Sequence, residues 1–406
     1  MIFWDIFKMS AGALRANKLR SFLTLLGVII GVTSVITIIS ALEGLSQSIQ
    51  AELATLGPTT FIVDRFGMIM GHDEFMEALK RKPMKSEYGE MILDGCEECE
   101  KVGLQDGFRG EAKYKNNKVR RARIIGASAS MIDIVDTEVD QGRFYMDEEE
   151  KSRIRVAFIG DGIAEELYSG LDPIGRDIKL EGIKYKVVGI AKKKGASLDE
   201  DADKNIFIPY STYIKDFAGR YLDPAIFVKA KSLEKLPVAM DQARVVLRSA
   251  RHVPYDKNDD FGMTTADAVM EAINNITKFI RFGLIGVSAI ALVVGGIIIM
   301  NIMMVSVTER TREIGIRKSV GARQRDILMQ FLYESLILSL GGGIVGIGIG
   351  LFLGKTLINL INMDMTPTLF AISLGLIISS GTGLFFGIYP AMKAARLQPV
   401  KALGFE

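Results

Sequence analysis

The residues best suited to chemistry sit between positions 307 and 327, in the run VTERTREIGIRKSVGARQRDI. Glu309 falls in the expected first turn after a Thr308 cap, Arg317 and Lys318 fall in the last turn, and Gly321 supplies a stop. A short amphipathic helix lying along a membrane and exposing Arg310, Ile314 and Arg317 is a plug for a groove on a partner. Such an array binds a surface and does not transform a substrate. A basic anchor to anionic lipid is the plainer alternative, and the interspersed Glu309 and Glu313 argue against it.

The other chemical candidates are weaker. His72 and His252 stand far apart, in no zinc-binding spacing. Cys96 and Cys99 form one C-x2-C pair, read as either a local disulfide or two free thiols. Acidic runs at 147–150 and 199–203 read as solvated loops. Gly354-Lys355-Thr356 ends like a phosphate-binding loop, but Ile349 stands where that loop needs its first glycine. No nucleotide-binding motif occurs elsewhere in the chain, so any energy for transport would have to come from another chain. Gly342, Gly346, Gly350 and Gly354 recur every fourth residue, as do Gly27 with Gly31 and Gly383 with Gly387. Each set leaves one helix face bare for close approach of a neighbouring helix.

These residues need a membrane frame. The chain has 406 residues, 49% of them hydrophobic, a net charge of +2 and two cysteines. That composition excludes a disordered chain and a disulfide scaffold, and the low charge argues against nucleic-acid binding. Apolar runs of the ~20 residues needed to cross a bilayer occur at 21–42, 282–308, 327–354 and 365–392. Only the third holds a charge, Glu334. The first is too long for a signal-peptide core, lacks a cleavage site, and is expected to stay in the membrane. Residues 1–20 carry Trp4 among early aromatics and basic residues, the pattern of an interfacial amphipathic helix.

The flanks fix the expected orientation. Residues 1–20, the 309–326 loop and the 393–406 tail are all basic, whereas the 355–364 loop holds one charge of each sign. Basic loops stay inside, so both termini are expected in the cytoplasm and the large 43–281 segment outside. Within 44–278 there are 35 basic and 40 acidic residues, so the small total charge hides an acidic outer part and a basic cytoplasmic rim. Apolar stripes at Leu42, Leu45, Ile49, Leu53 and at Val269, Ile273, Ile276, Ile280 extend the first two spans. They read as a helical stalk in which the two stripes bury each other, or as two helices packing separately on the outer domain. Strand-like runs at 60–63, 119–125, 156–159, 184–190, 205–208 and 226–229 alternate with helical runs at 162–168, 211–217 and 233–251, giving an α+β domain. About 67–118 has little period and reads as an insertion.

The run ERTREIGIRKSVGARQRDI followed by FLYESL resembles the signature of MacB-like and FtsX-type ABC transporter permeases. The resemblance extends to LRSFLTLLGVIIGVTSVITIISALEGLSQSIQAELATLGPTTFIV, to GRFYMDEEEKSRIRVAFIG, to LDPIGRDIKLEGIKYKVVGIAKKKG and to YPAMKAARLQPVKAL. It implies a four-span permease half without catalytic residues or a bound cofactor, working with a separate ABC ATP-binding subunit and a second permease copy, identical or paralogous. The fused ATPase of MacB itself is not among these residues. Glu309, Arg312, Glu313, Ile314, Gly315, Arg317 and Lys318 would form the coupling helix. ATP-driven closure of the motors would move the stalk and outer domain, exporting or releasing a hydrophobic, peptide or lipid-type substrate with or without an extracytoplasmic adaptor. Glu334 is expected near the inner interface, paired with an arginine of the loop, because an unpaired carboxylate there costs several kcal/mol. An FtsX-like regulator of an extracellular partner and a ligand-sensing receptor are the alternatives.

Overall fold

The structure, a computed structural model, describes residues 18–54, 56–69, 71–135, 137–193, 202–217, 222–359 and 369–403. The interfacial helix expected over 1–20 therefore lies, up to residue 17, outside the described residues, as do residues 360–368 between the last two spans. The chain divides into two compact units, one of them Gln47–Asn274 and the other the chain on either side.

In chain order, α1 (Lys18–Ala54) leads to β1 (Thr60–Asp64), α2 (His72–Ala78), α3 (Glu87–Gly95), β2 (Cys99–Tyr114) and β3 (Asn117–Ala127). Next come α4 (Met131–Ile134), β4 (Val139–Gly142), α5 (Asp147–Lys151), β5 (Val156–Ile159), α6 (Asp161–Tyr168), β6 (Asp177–Leu180) and β7 (Ile183–Ala191). The domain ends with β8 (Asn205–Pro209), α7 (Tyr210–Asp216), β9 (Ala225–Ala230), α8 (Leu236–Ala250) and β10 (Gly262–Thr265). Then follow α9 (Ala266–Glu309), α10 (Thr311–Ser319), α11 (Gln324–Asn359), α12 (Leu369–Ala395) and α13 (Pro399–Leu403).

Among the described residues, four helices are long and apolar enough to cross a membrane: α1, α9, α11 and α12. The chain is a multi-pass membrane protein. At 1.5 Å per residue, the 44 residues of α9 reach about 66 Å, twice a bilayer core, so α9 runs well beyond the membrane. Its start is capped where Thr265 Oγ1 accepts the Ala268 amide at 3.1 Å. The second stalk stripe is not fully buried. Ile276 and Ile280 stay exposed, and Phe279 with them.

The Gln47–Asn274 unit is an α+β domain on one mixed ten-stranded sheet, ordered β10-β1-β9-β2-β3-β8-β5-β7-β4, with β6 pairing β2 and β7. Among the described residues, only β3–β8 and β5–β7 are parallel. Alternation along β3 sends Ile124 into a core with Ile159, Ile206, Tyr168 and Tyr185, and Ile125 to the opposite face. A second core joins Phe61, Val63 and Val228 to Ile92 and Leu247 of α3 and α8. Cys96 and Cys99 form a disulfide there, with Cα atoms 5.4 Å apart.

The 67–118 region is not an insertion. It supplies α2, α3 and β2, and β2 pairs with β3, β6 and β9. Its apolar period is broken by glycines, one of which lies against backbone: a Cβ on Gly107 would stand 2.9 Å from Ile124 O.

Candidate functional site

The connection between the second and third spans is α10. It does not begin at Thr308, whose hydroxyl bonds Val305 O inside α9. A break at Arg310 starts the new helix at Thr311, and this shift rotates the faces expected from the sequence. Ile314 is 2% exposed, in one cluster with Val307, Ile327 and Phe331. Gly315 is buried as well. The exposed apolar residues are instead Ile316 at 51% and Val320 at 84%, four apart and hence neighbours on the helix surface. Glu309, Arg312 and Glu313 are exposed beside them. The result is a short apolar ridge with charges of both signs, held on a rigid base.

Three cations fasten that base. Arg310 Nη1 lies 3.3 Å from Glu334 Oε1, the carboxylate inside α11. Arg317 donates to Gln330 Oε1 at 2.8 Å and also pairs with Glu313. Lys318, expected in the last turn as a complement to the helix dipole, turns inward and donates to Leu397 O at 2.7 Å and to Ala395 O. It thus satisfies a terminal carbonyl of α12 that has no partner within the helix. Partial burial pulls its amine below the usual lysine value. The stop at Gly321 is as expected: φ is +103°, and the Gly321 and Ala322 amides bond Lys318 O and Arg317 O. Helix α13 packs against α10.

The glycine faces carry the helix contacts of this unit. A Cβ on Gly27 would lie 2.5 Å from Gly295 Cα of α9, and Gly31 faces Leu292. Gly342, Gly346 and Gly350 of α11 meet Val28, Val32 and Ile36 of α1, and Gly354 is buried. Thr33 and Thr37 donate across the same interface to Gly346 O at 3.0 Å and Gly350 O at 3.2 Å. Between α11 and α12 the match is reciprocal. Ser335 meets Gly387, Ser339 meets Gly383, and Gly343 meets Ser379. Sequence reasoning found the glycines and missed the serines, although Ser335, Ser339 and Gly343 share the four-residue spacing of small residues.

Comparison with known proteins gives two domains. Residues 21–246 match the MacB-like periplasmic core domain and 285–399 the FtsX-like permease C-terminal domain. The macrolide export ATP-binding/permease protein MacB of Bdellovibrio bacteriovorus is 33% identical over 97% of this chain and 60% of its own length. The pyoverdine export ATP-binding/permease protein PvdT of Pseudomonas fluorescens Pf0-1 is 34% identical over 96% of this chain and 58% of its own. The chain thus spans about three fifths of these relatives. The crystal structure of the periplasmic region of MacB from Actinobacillus actinomycetemcomitans covers 55% of this chain and 96% of that region, at 17% identity and a TM-score of 0.46.

Proposed function

The chain belongs to the MacB-like, FtsX-type family of ABC transporter permeases, and on that premise we propose that it is the membrane half of an exporter driven by a separate ATP-binding subunit. That subunit binds and hydrolyses ATP with Mg, and it docks on the ridge of Ile316 and Val320. Both termini and α10 lie in the cytoplasm, and the Gln47–Asn274 domain lies outside. The permease works as a pair, with a second copy or a paralogue.

Motion of the motor enters at α10. Ile314, Arg310 and Lys318 tie that helix to α11 and α12, so it moves with them and does not slide on them. The glycine contacts pass the displacement to α1 and α9, which continue beyond the bilayer as the stalk and shift the outer domain. The movement exports or releases a hydrophobic, peptide or lipid-type substrate, with or without an outer adaptor. The observation that carries this reading is the division of α10 into a buried, ion-paired face and an exposed apolar ridge. Co-purification tests it. Ile316→Asp with Val320→Asp should abolish capture of a P-loop ATPase while the melting temperature holds, and undiminished capture would refute the docking assignment.

A further inference from the structure

The Gln47–Asn274 domain is acidic in sum, with 40 acidic against 35 basic residues over 44–278, yet one row of its sheet is wholly cationic. Lys118 of β3 stands opposite Lys113 of β2, Lys113 opposite Lys179 of β6, and Lys179 opposite Lys184 of β7. The four share one face, because their neighbours along the strands, Val119, Ala112, Ile178, Leu180 and Tyr185, enter the core on the other. All four are exposed. None of them makes an ion pair among the described residues.

Like charges directly opposite one another on a sheet are destabilising. A face that only meets water needs polarity and not a single sign, and such surfaces intersperse both. The acids nearest the row do not neutralise it: Glu181 Oε1 accepts the Glu111 amide at 2.6 Å, and Asp177 stands opposite Lys186. Arg120 and Arg121, exposed where the β2–β3 register shifts, follow Lys118 and add to the charge. The missing counter-charges are best supplied from outside the chain.

Position and spacing select the occupant. Thr60, six residues after α1, is in register with Lys229 and through it with Lys101 of β2; Thr265, just before α9, is in register with Phe61 of the same strand. Lys113 lies twelve residues further along β2, about 40 Å of strand at ~3.3 Å each. That distance from both connections to the membrane spans, many times the ~8 Å screening length, argues against a lipid headgroup layer. Across strands ~4.8 Å apart the row presents one ammonium every ~5 Å over about 14 Å. A helix with acids three and four residues apart presents carboxylates at ~5–6 Å, whereas one side of an extended chain repeats at ~6.6 Å.

We propose that the row of Lys118, Lys113, Lys179 and Lys184 docks a partner protein through a helix bearing an acidic stripe, laid across the four strands. The inference concerns one face of the outer domain and stands without the export reading.

The test uses the full chain in nanodiscs of zwitterionic lipid, with a fluorescein-labelled, stapled alanine-rich helix of about 15 residues carrying glutamate at every fourth position. Fluorescence anisotropy should show binding that weakens with salt, and the same helix with glutamine for glutamate should not bind. Lys113→Gln with Lys179→Gln should weaken binding about tenfold, while the melting temperature holds or rises as the like-charge contact is removed. Lys231→Gln with Lys257→Gln, exposed lysines elsewhere on the domain, should leave binding unchanged. Lys113→Glu with Lys179→Glu should bind the helix with lysine for glutamate. Binding undiminished in Lys113→Gln with Lys179→Gln, or equal for the glutamine helix, would overturn the proposal. Tighter binding of inorganic polyphosphate, or displacement of the helix by phosphatidylglycerol in the disc, would overturn the choice of a protein occupant.

Discussion

Arg310 Nη1 lies 3.3 Å from Glu334 Oε1 and 3.4 Å from Oε2, so the residue that opens α10 is bound to a carboxylate about three turns into α11. The Glu334 side chain is 9% exposed and that of Arg310 25%. The carboxylate therefore depends on its partner more than the guanidinium does.

That asymmetry orders three variants. Removing one member of a buried pair costs about 3–5 kcal/mol, whereas replacing both with apolar groups is often neutral. Arg310→Met, which strands the carboxylate, should lose about 3 kcal/mol, and Glu334→Leu less, because Arg310 can reach solvent. The double variant should recover most of the loss in thermal unfolding. Additive losses would mean that the pair contributes nothing as a pair.

The α11–α12 seam makes a reciprocal prediction. A Cβ on Gly383 would stand 2.7 Å from Ser339 Cβ, so Gly383→Ala should cost about 1–3 kcal/mol through overpacking. Ser339→Gly in that background returns the space and should restore the melting temperature. Gly381→Ala, with nothing within 4 Å of the added carbon, should be neutral. A Gly383→Ala variant as stable as Gly381→Ala would refute the seam.

The disulfide tests the proposed orientation. Cys96 and Cys99 are both buried, and a bond between them persists on the oxidising side of a membrane. Chain isolated without reductant should resist alkylation at both positions and take up two labels after reduction and unfolding. Two thiols that alkylate on unfolding without reduction would place the domain on the reducing side. Cys96→Ser with Cys99→Ser should cost about 2 kcal/mol, the estimate for so short a loop.

Much of this architecture was legible in the residues. Apolar length alone marked the four spans, and β-branched runs marked β1, β3, β5, β7, β8 and β9. The sequence hid β2 because Gly103, Gly107 and Gly110 interrupt its alternation, and the close backbone at Gly107 is visible only in three dimensions. It hid the phase of α10 because Thr308 looks like a cap, whereas the helix restarts three residues later and turns Ile314 inward and Ile316 outward. Lys318 looked like a complement to the dipole of its own helix, yet its donors go to carbonyls at the end of α12. The seam serines went unnoticed because a serine next to lipid carries no signal until a glycine faces it.

Photo-crosslinking from α10 tests the central claim most directly. With benzoylphenylalanine at 316 or 320 in the assembled transporter, a P-loop ATPase should be captured from both positions, and none from 345, where Val345 is exposed on the third span. Capture of the ATPase from 345, or its absence at both 316 and 320, would contradict docking on the ridge.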